Sequence, residues 1–331
     1  MTRALITGMA GFVGSHLAEY LLAKTDWEIY GLLRWQEPLD SLAGVIPLVN
    51  EGKRVHLVYG DLHDALSIRD AVDAAEPDYV FHLAAQSYPK TSFTAPLDTL
   101  DTNVQGTVRL LDALRRHDAL IHVCSSSEVY GKVDKKHLPI TEDCPFHPAS
   151  PYAISKVGAD LVARFYAEAY GMKILVTRMF THTGPRRGDV FAESTFAKQI
   201  AMAEAGQIEP VIKVGNLNSV RTVADVRDAV RAYHMLLTIN PQPGEVYNIG
   251  GTVTCTVEDM LSKLRGLSLL SFRTEVEQSR LRPIDADLQL PDCTKFKTHT
   301  GWEPEIPFEQ TMADLLDYWR GRTRRGPCLT R

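Results

Sequence analysis

Gly8-Met9-Ala10-Gly11-Phe12-Val13-Gly14 follows the apolar run Ala4-Leu5-Ile6-Thr7, and a helical pattern carrying Val13, Leu17, Tyr20 and Leu21 begins inside it. The order strand, glycine-rich turn, helix decides the fold. Glycines let the backbone turn tightly and approach a pyrophosphate, whose charge then sits at the helix N-terminus. A glycine triplet alone recurs by chance; the strand before it and the helix after it supply the context a dinucleotide site requires. Gly8, Gly11, Phe12, Val13 and Gly14 are therefore candidate cofactor contacts, with a merely structural turn as the alternative.

Outward from this turn, short apolar runs alternate with longer helical patterns. Ala4–Thr7, Ile29–Leu33, Val55–Tyr59, Tyr79–Leu83, Leu120–Cys124 and Ile174–Thr177 read as buried strands. One intervening stretch places Leu97, Leu100, Val104, Val108, Leu111 and Leu114 on a single helical face. Such alternation implies βαβ units and a parallel sheet covered on both sides: an α/β, Rossmann-type doubly wound architecture. After about Pro185 the elements shorten. Strands are expected at Pro210–Val214 and Val246–Ile249, helices at Ala192–Ala205, Ala224–Leu237 and Phe308–Arg320. This divides the chain into a dinucleotide-binding domain, 1–185, to which later segments return, and a smaller α/β substrate lobe, 186–331.

The end of the second strand selects the dinucleotide. An acid there holds the ribose 2′-OH of NAD, whereas an arginine accommodates the 2′-phosphate of NADP. The segment reads Leu32-Leu33-Arg34-Trp35, without a carboxylate, so NADP is expected over NAD, with Arg34 as its 2′-phosphate partner. After the third strand, Gly60-Asp61-Leu62 is placed to hold the adenine through Asp61 and the backbone at Leu62.

Ser150-Pro151-Tyr152-Ala153-Ile154-Ser155-Lys156 opens a helix carrying Val157, Leu161 and Phe165 on one face. Four-residue spacing puts Tyr152 and Lys156 on the same side, one turn apart. A free tyrosine ionises near ~10, too high for a base at neutral pH, and a cationic lysine beside a cationic nicotinamide favours the phenolate. Cys124-Ser125-Ser126-Ser127-Glu128-Val129-Tyr130-Gly131 directly follows a strand, at the end where ligands bind in open α/β sheets. Ser126 can hydrogen-bond a substrate hydroxyl beside Tyr152. Simple alcohol oxidation requires no carboxylate base, so Glu128 points to proton abstraction from a carbon next to a newly formed ketone; a solvated turn residue is the alternative.

The bulk numbers fit. The chain has 331 residues, 44% hydrophobic and 23% charged, an ordinary globular balance, and its net charge of −5 argues against a protein that wraps nucleic acid. No apolar run of ~18 residues is present to span a membrane, and the first residues enter a strand pattern at once, where a signal peptide would otherwise stand. Five scattered cysteines without a C-x-x-C fit a reducing cytoplasm, and no H-E-x-x-H marks a metal site. The basic tail Arg320, Arg322, Arg324, Arg325 reads as a frayed, solvated end.

Together with the glycine loop, the runs His82-Leu83-Ala84-Ala85-Gln86-Ser87, Asn103-Val104-Gln105-Gly106-Thr107, Ser-Ser-Ser-Glu-Val-Tyr-Gly and Tyr-x-x-x-Lys resemble the extended short-chain dehydrogenases that act on nucleotide sugars. The likeness covers nearly the whole chain and is strongest to the GDP-mannose 4,6-dehydratases and the related GDP-4-keto-6-deoxymannose reductases. It implies that Leu83, Ala84, Ala85 and Ser87 face the dinucleotide, Ser87 also the substrate, and that His182 and Arg187 of His182-Thr183-Gly184-Pro185-Arg186-Arg187-Gly188 touch the cofactor. Phe196-Ala197-Lys198-Gln199-Ile200, Val214-Gly215-Asn216-Leu217 and Thr300-Gly301-Trp302-Glu303-Pro304 are the reductase-like runs. Lys198, Lys213, Arg221, Arg280 and Arg282 are candidate contacts for a nucleoside diphosphate; the resemblance favours Arg221 and Arg282 among them. It also implies a homodimer or homotetramer through the Leu97–Leu114 and Tyr152 helices, although core packing accounts for most of their apolar faces.

The chain departs from the family pattern at Phe180-Thr181-His182, where Thr181 replaces an asparagine that helps hold the nucleotide sugar. It departs again at Arg221-Thr222-Val223 and at Arg282-Pro283-Ile284-Asp285, where the family ends in glutamate. The expected function is a nucleotide-sugar 4,6-dehydratase converting GDP-mannose to GDP-4-keto-6-deoxymannose, a lyase with an internal NADP redox cycle. The alternatives are the NADPH-consuming reductase, another nucleotide-sugar epimerase or decarboxylase, and a non-catalytic dinucleotide sensor.

Overall fold

The computed structural model describes residues 1–281, 288–324 and 326. Six strands come first: β1 Arg3–Thr7, β2 Glu28–Leu33, β3 Val55–Tyr59, β4 Tyr79–His82, β5 Leu120–Cys124 and β6 Ile174–Met179. Three strands of a smaller lobe follow, β7 His182–Thr183, β8 Val211–Val214 and β9 Val220–Asp225. Then β10, Val246–Ile249, returns to the first six, while β11 Val253–Thr256, β12 Arg273–Val276 and β13 Leu288–Gln289 lie in the lobe. The main sheet runs β10-β6-β5-β4-β1-β2-β3 with every pairing parallel. Strand order reverses between β1 and β4, which opens a crevice at the C-terminal strand ends.

Eight of the longer helices frame the sheet and the lobe: α1 Phe12–Lys24, α2 Ala65–Ala75, α3 Gly106–Leu114, α4 Pro151–Tyr170, α5 Ala192–Glu204, α6 Val226–Thr238, α7 Val257–Gly266 and α8 Phe308–Arg324. On one face of the sheet, Leu17 and Leu21 of α1 pack with Tyr233 and Leu236 of α6. On the other, Ile68 and Val72 of α2, Leu110 and Leu114 of α3 and Ala163 of α4 close the core. All six residues of β6 are buried, as a strand covered on both faces must be. The lobe has its own core around Phe196, Ile212, Leu261, Leu315 and Trp319.

Local chemistry sets the element ends. β4 stops at His82, one residue short of its expected end, because the Leu83 and Ala84 N–H groups both donate to Thr7 Oγ1 at 3.1 and 3.0 Å. The helix expected from Ala224 begins at Val226, because Ala224 and Asp225 complete β9 and the Asp225 carboxylate caps the helix by accepting from Arg227 N at 2.8 Å. Ser150 caps α4 in the same way, accepting from Ala153 N at 3.0 Å, with Pro151 at the first helical position.

Three expectations are corrected. The Leu97–Leu114 face is broken: a π-helical turn at Asp101–Gln105 separates the helix Pro96–Leu100 from α3. Leu97 is consequently exposed, while Leu110, Leu111 and Leu114 are buried. The apolar stripe of α4 is core packing only at Val157, which packs against the cluster that holds Val129 and Phe180. Leu161 and Phe165, like the neighbouring Ile154, are each about half exposed, and the buried face is formed by Tyr152, Ala153, Ser155, Lys156, Ala159 and Ala163. The basic tail is helical through Arg324, and Arg320 is clamped by Glu204 at 2.7 and 2.8 Å and by the Leu267 carbonyl at 2.9 Å.

Candidate functional site

The crevice between β1 and β4 begins with the glycine turn. Gly8 adopts φ +69° and a Cβ there would stand 2.9 Å from Ala84 Cα; one on Gly14 would stand 2.3 Å from the Gly8 carbonyl. Side chains are thereby excluded where β1, the loop after β4 and α1 converge. Gly11 precedes α1 with no side-chain cap, so the first N–H groups of a helix beginning Phe12-Val13 remain for a ligand. Phe12 stacks on His182, centroids 5.8 Å apart with rings 9° from parallel. His182 Nδ1 pairs with the Phe180 carbonyl at 3.1 Å, while its Nε2 is buried without a partner. Burial, and secondly the charge of Arg187, push this imidazole down to about 4, so it is neutral at pH 7.

At the far end of the crevice a cavity of about 610 Å³ is lined by Arg34, Trp35, Glu37, Tyr59, Gly60 and Asp61. Arg34 lies beyond β2 with a largely exposed side chain, 3.9 Å from the Glu37 carboxylate, which also accepts from Arg34 N at 3.1 Å. Burial alone would raise the Asp61 carboxyl, yet hydrogen bonds from the His63 backbone and ring hold it below its usual range. Leu62 is buried, and its carbonyl accepts from Arg109 Nη1 at 2.8 Å.

Leu83, Ala84 and Ala85 follow β4 and cross the crevice floor, and Ser87 is exposed at its mouth. Asn103, for which the sequence suggests no role, fastens this loop. It accepts from Gln86 N at 2.8 Å, donates to the Gln86 carbonyl at 3.0 Å, and donates to Ser155 Oγ on α4 at 2.8 Å. The π-helical turn aims Asn103 inward, although the apolar spacing Leu100, Val104 and Val108 runs through it as through a regular helix. Thr7, equally missed, joins β1 to the same loop and to His82 Nδ1 at 2.9 Å.

Ser126, Tyr152 and Lys156 meet beyond β5. All three are buried, with Tyr152 and Lys156 each 8% exposed. Lys156 Nζ donates to the Cys124 carbonyl at 2.7 Å, and burial lowers its pKa. Burial pushes the Tyr152 phenol well above its usual value; the Ser126 hydrogen bond and the Arg187 charge pull it back, whereas Cys124 and Glu128 push it further up. Without a bound cation, Tyr152 is thus a phenol rather than a phenolate. Glu128 is half-buried, and its N–H donates to Ser126 Oγ at 3.2 Å. Behind this segment, Arg178 binds Asp160 of α4 at 2.8 Å and the Tyr130 hydroxyl at 3.0 Å, joining the serine-rich loop to the tyrosine helix through the interior.

Substrate candidates on the lobe side are dispersed. Thr181 is half-buried between β6 and β7 and its carbonyl accepts from Ala224 N at 2.9 Å. Lys198 is buried on α5 and ion-paired with Asp189 at 2.8 Å, so its charge is already partnered. Arg221 on β9 is half-buried and donates to the Val220 carbonyl at 3.0 Å. Arg282 lies outside the described residues. Arg187 stands apart from these: its guanidinium is 3.4 Å from the Phe191 ring centroid and 5.1 Å from that of Phe12. Among the described residues no cluster of metal-ligating side chains occurs, and no helix is long and apolar enough to cross a membrane.

Comparison with known proteins places the chain among nucleotide-sugar enzymes. The family model described as GDP-mannose 4,6 dehydratase matches residues 5–315. GDP-6-deoxy-D-mannose reductase of Pseudomonas aeruginosa is 32% identical across 97% of this chain and 98% of its own length. GDP-mannose 4,6 dehydratase 2 of Arabidopsis thaliana is 33% identical across 95% and 86%. Among solved structures, RMD from Pseudomonas aeruginosa complexed with NADPH is similar with a TM-score of 0.82 at 30% identity, over 97% of this chain and 100% of that one. UDP-glucose 4-epimerase of Thermotoga maritima with UDP-glucose gives 0.84 at 25% identity, over 97% and 99%.

Proposed function

This chain belongs to the GDP-mannose 4,6 dehydratase family, and on that footing we propose that it is a nucleotide-sugar 4,6-dehydratase that converts GDP-mannose to GDP-4-keto-6-deoxymannose with NADP. The glycine turn that a Cβ would fill, the partnerless His182 Nε2 and the cavity beside Arg34 fit such a dinucleotide, and a relative of similar fold is complexed with NADPH. When bound, NADP supplies the hydride acceptor for C4 of the sugar and the donor for C6.

The chain's own residues move the protons. Tyr152 takes the proton of the C4 hydroxyl, with Ser126 fixing that oxygen and Lys156, anchored on Cys124, supplying positive charge below the phenol. The resulting C4 ketone acidifies C5. Glu128 removes the C5 proton and passes it to the departing C6 hydroxyl, which leaves as water; a proton from solvent later restores C5 when C6 is reduced. The observation that carries this reading is the carboxylate itself: Glu128 is tied through its N–H to Ser126 and its charge reaches Tyr152, in a position where ketone reduction alone needs no base.

The test is turnover of GDP-mannose in heavy water, followed by mass spectrometry. A dehydratase loses water, carries solvent deuterium at C5 and moves the C4 hydrogen to C6. Glu128→Gln should lower turnover by at least ~10², the usual size of a general-base contribution. The reductase reading is kept open by the 32% identity to a GDP-6-deoxy-D-mannose reductase. Stoichiometric NADPH consumption with a 4-keto-6-deoxy sugar, and no water loss from any hexose, would establish it instead.

Thr181 and Arg221 supply the lobe side of the nucleotide-sugar site in this reading, whereas Lys198 is held by Asp189. A second copy of the chain covers the exposed Ile154, Leu161 and Phe165 of α4, giving a homodimer or homotetramer. Four free cysteines among the described residues suit the reducing cytoplasm.

A further inference from the structure

Arg187 and Glu193 form a buried pair at the junction of the two lobes. Arg187 Nε stands 3.4 Å from Glu193 Oε1, with side chains 13% and 7% exposed, and neither atom has a hydrogen-bond partner among the described residues. The guanidinium is flanked by Phe191 and by Phe12, the first residue of α1, and its charge reaches Tyr152. It therefore lies beside the first residue of the helix whose N-terminus would receive a pyrophosphate, with its charge felt at Tyr152. The two rings and the surrounding burial fix its position, whereas the carboxylate fixes how much of its charge is uncompensated.

We propose that Glu193 is a positioning residue that acts through Arg187: as its buried counter-charge, it sets how strongly the crevice attracts the anionic dinucleotide and keeps that attraction submaximal. The proposal rests on the dinucleotide reading above, but not on which sugar is processed. Burial disfavours an isolated cation, so the unliganded chain is more stable with the carboxylate present. A bound pyrophosphate brings negative charge to the same guanidinium and competes with Glu193 for it. Glu193 thus exchanges dinucleotide affinity for stability of the empty protein, which eases release.

The test is equilibrium binding of NADP at several salt concentrations, beside thermal unfolding without ligand. Glu193→Gln should bind NADP roughly threefold to tenfold more tightly at low salt, with a steeper salt dependence, while melting at a lower temperature. Glu193→Asp keeps the charge and should stay near wild type in affinity. Arg187→Gln should weaken binding at least about tenfold. A purely structural role would lower affinity and melting temperature together in Glu193→Gln. That outcome, or equal effects of Gln and Asp, would overturn the proposal. If every sugar is left unchanged but this binding pattern holds, only the dehydratase reading falls; a wild-type chain that binds no NADP sinks both.

Discussion

Asn103 and Ser155 share a 2.8 Å hydrogen bond that ties the loop after β4 to the helix bearing Tyr152 and Lys156. Ser155 Oγ passes the link on by donating to the Tyr152 carbonyl at 2.7 Å. Asn103→Leu would leave the Gln86 N–H, the Gln86 carbonyl and Ser155 short of partners. The expected cost is about 2–4 kcal/mol of unfolding free energy, read by denaturant titration. Dinucleotide affinity and turnover should fall together, because both the cofactor loop and the tyrosine helix lose their common anchor.

Ser126 carries the pH prediction. Activity should rise with pH as Tyr152 loses its proton, and the Ser126 hydrogen bond is the largest influence drawing that phenol down against burial. Ser126→Ala should therefore move the ascending limb of the kcat/KM profile to higher pH, and leave turnover at pH 7 reduced by about 10². A limb that stays in place, or moves to lower pH, would exclude Tyr152 as the titrating base.

Arg34→Ala should shrink the preference for NADP over NAD by about 1–3 kcal/mol, as expected for hydrogen bonds between charged groups. Because Glu37 lies 3.9 Å from the guanidinium, Glu37→Gln should shift the preference the other way, toward NADP. Calorimetric titration of both dinucleotides measures each change.

His82 and His122 predict acid sensitivity. Both are buried on the sheet and hydrogen-bonded to threonines, and burial pushes each down to about 3. Their ordinary value is 6.5, so as pH falls below that the unfolded chain takes up protons the folded chain refuses. Stability is thus full above pH 6.5 and declines toward pH 3, by about 1.4 kcal/mol per pH unit for each histidine. His122→Asn should flatten the slope of unfolding free energy against pH in that window.

Much of the frame was legible because its signals are local. The Gly8–Gly14 turn is bracketed by a strand and a helix, and the strands β1 to β6 are apolar runs that burial on both faces demands. Tyr152 and Lys156 share a helix, so their spacing alone puts them together. What escaped depends on the third dimension. Asn103 turns inward only because of a π-helical turn, and the hydrophobic period Leu100, Val104, Val108 passes through it as if the helix were regular. Lys198 looked like a free cation, yet folding brings Asp189 beside it, and Glu193 becomes notable only once Arg187 is seen between two rings. The α4 stripe misled in the other direction: apolar spacing shows that a face avoids water, but not which molecule covers it.

The π-helical turn at Asp101–Gln105 makes this stretch intolerant of changes in length. One residue more or fewer in a helix rotates everything beyond it by about 100°. Upstream, Thr99 accepts from the Gln86 side chain; downstream, Thr107 bonds His82, and Leu110, Leu111 and Leu114 fill the core. The irregular turn is the phase adjustment that satisfies both ends at once. A deletion of one residue here would restore a smooth helix and still be more damaging than a deletion in any surface loop, since either the cofactor loop or the core face would be turned away. Regularity at this point would come at the expense of the site.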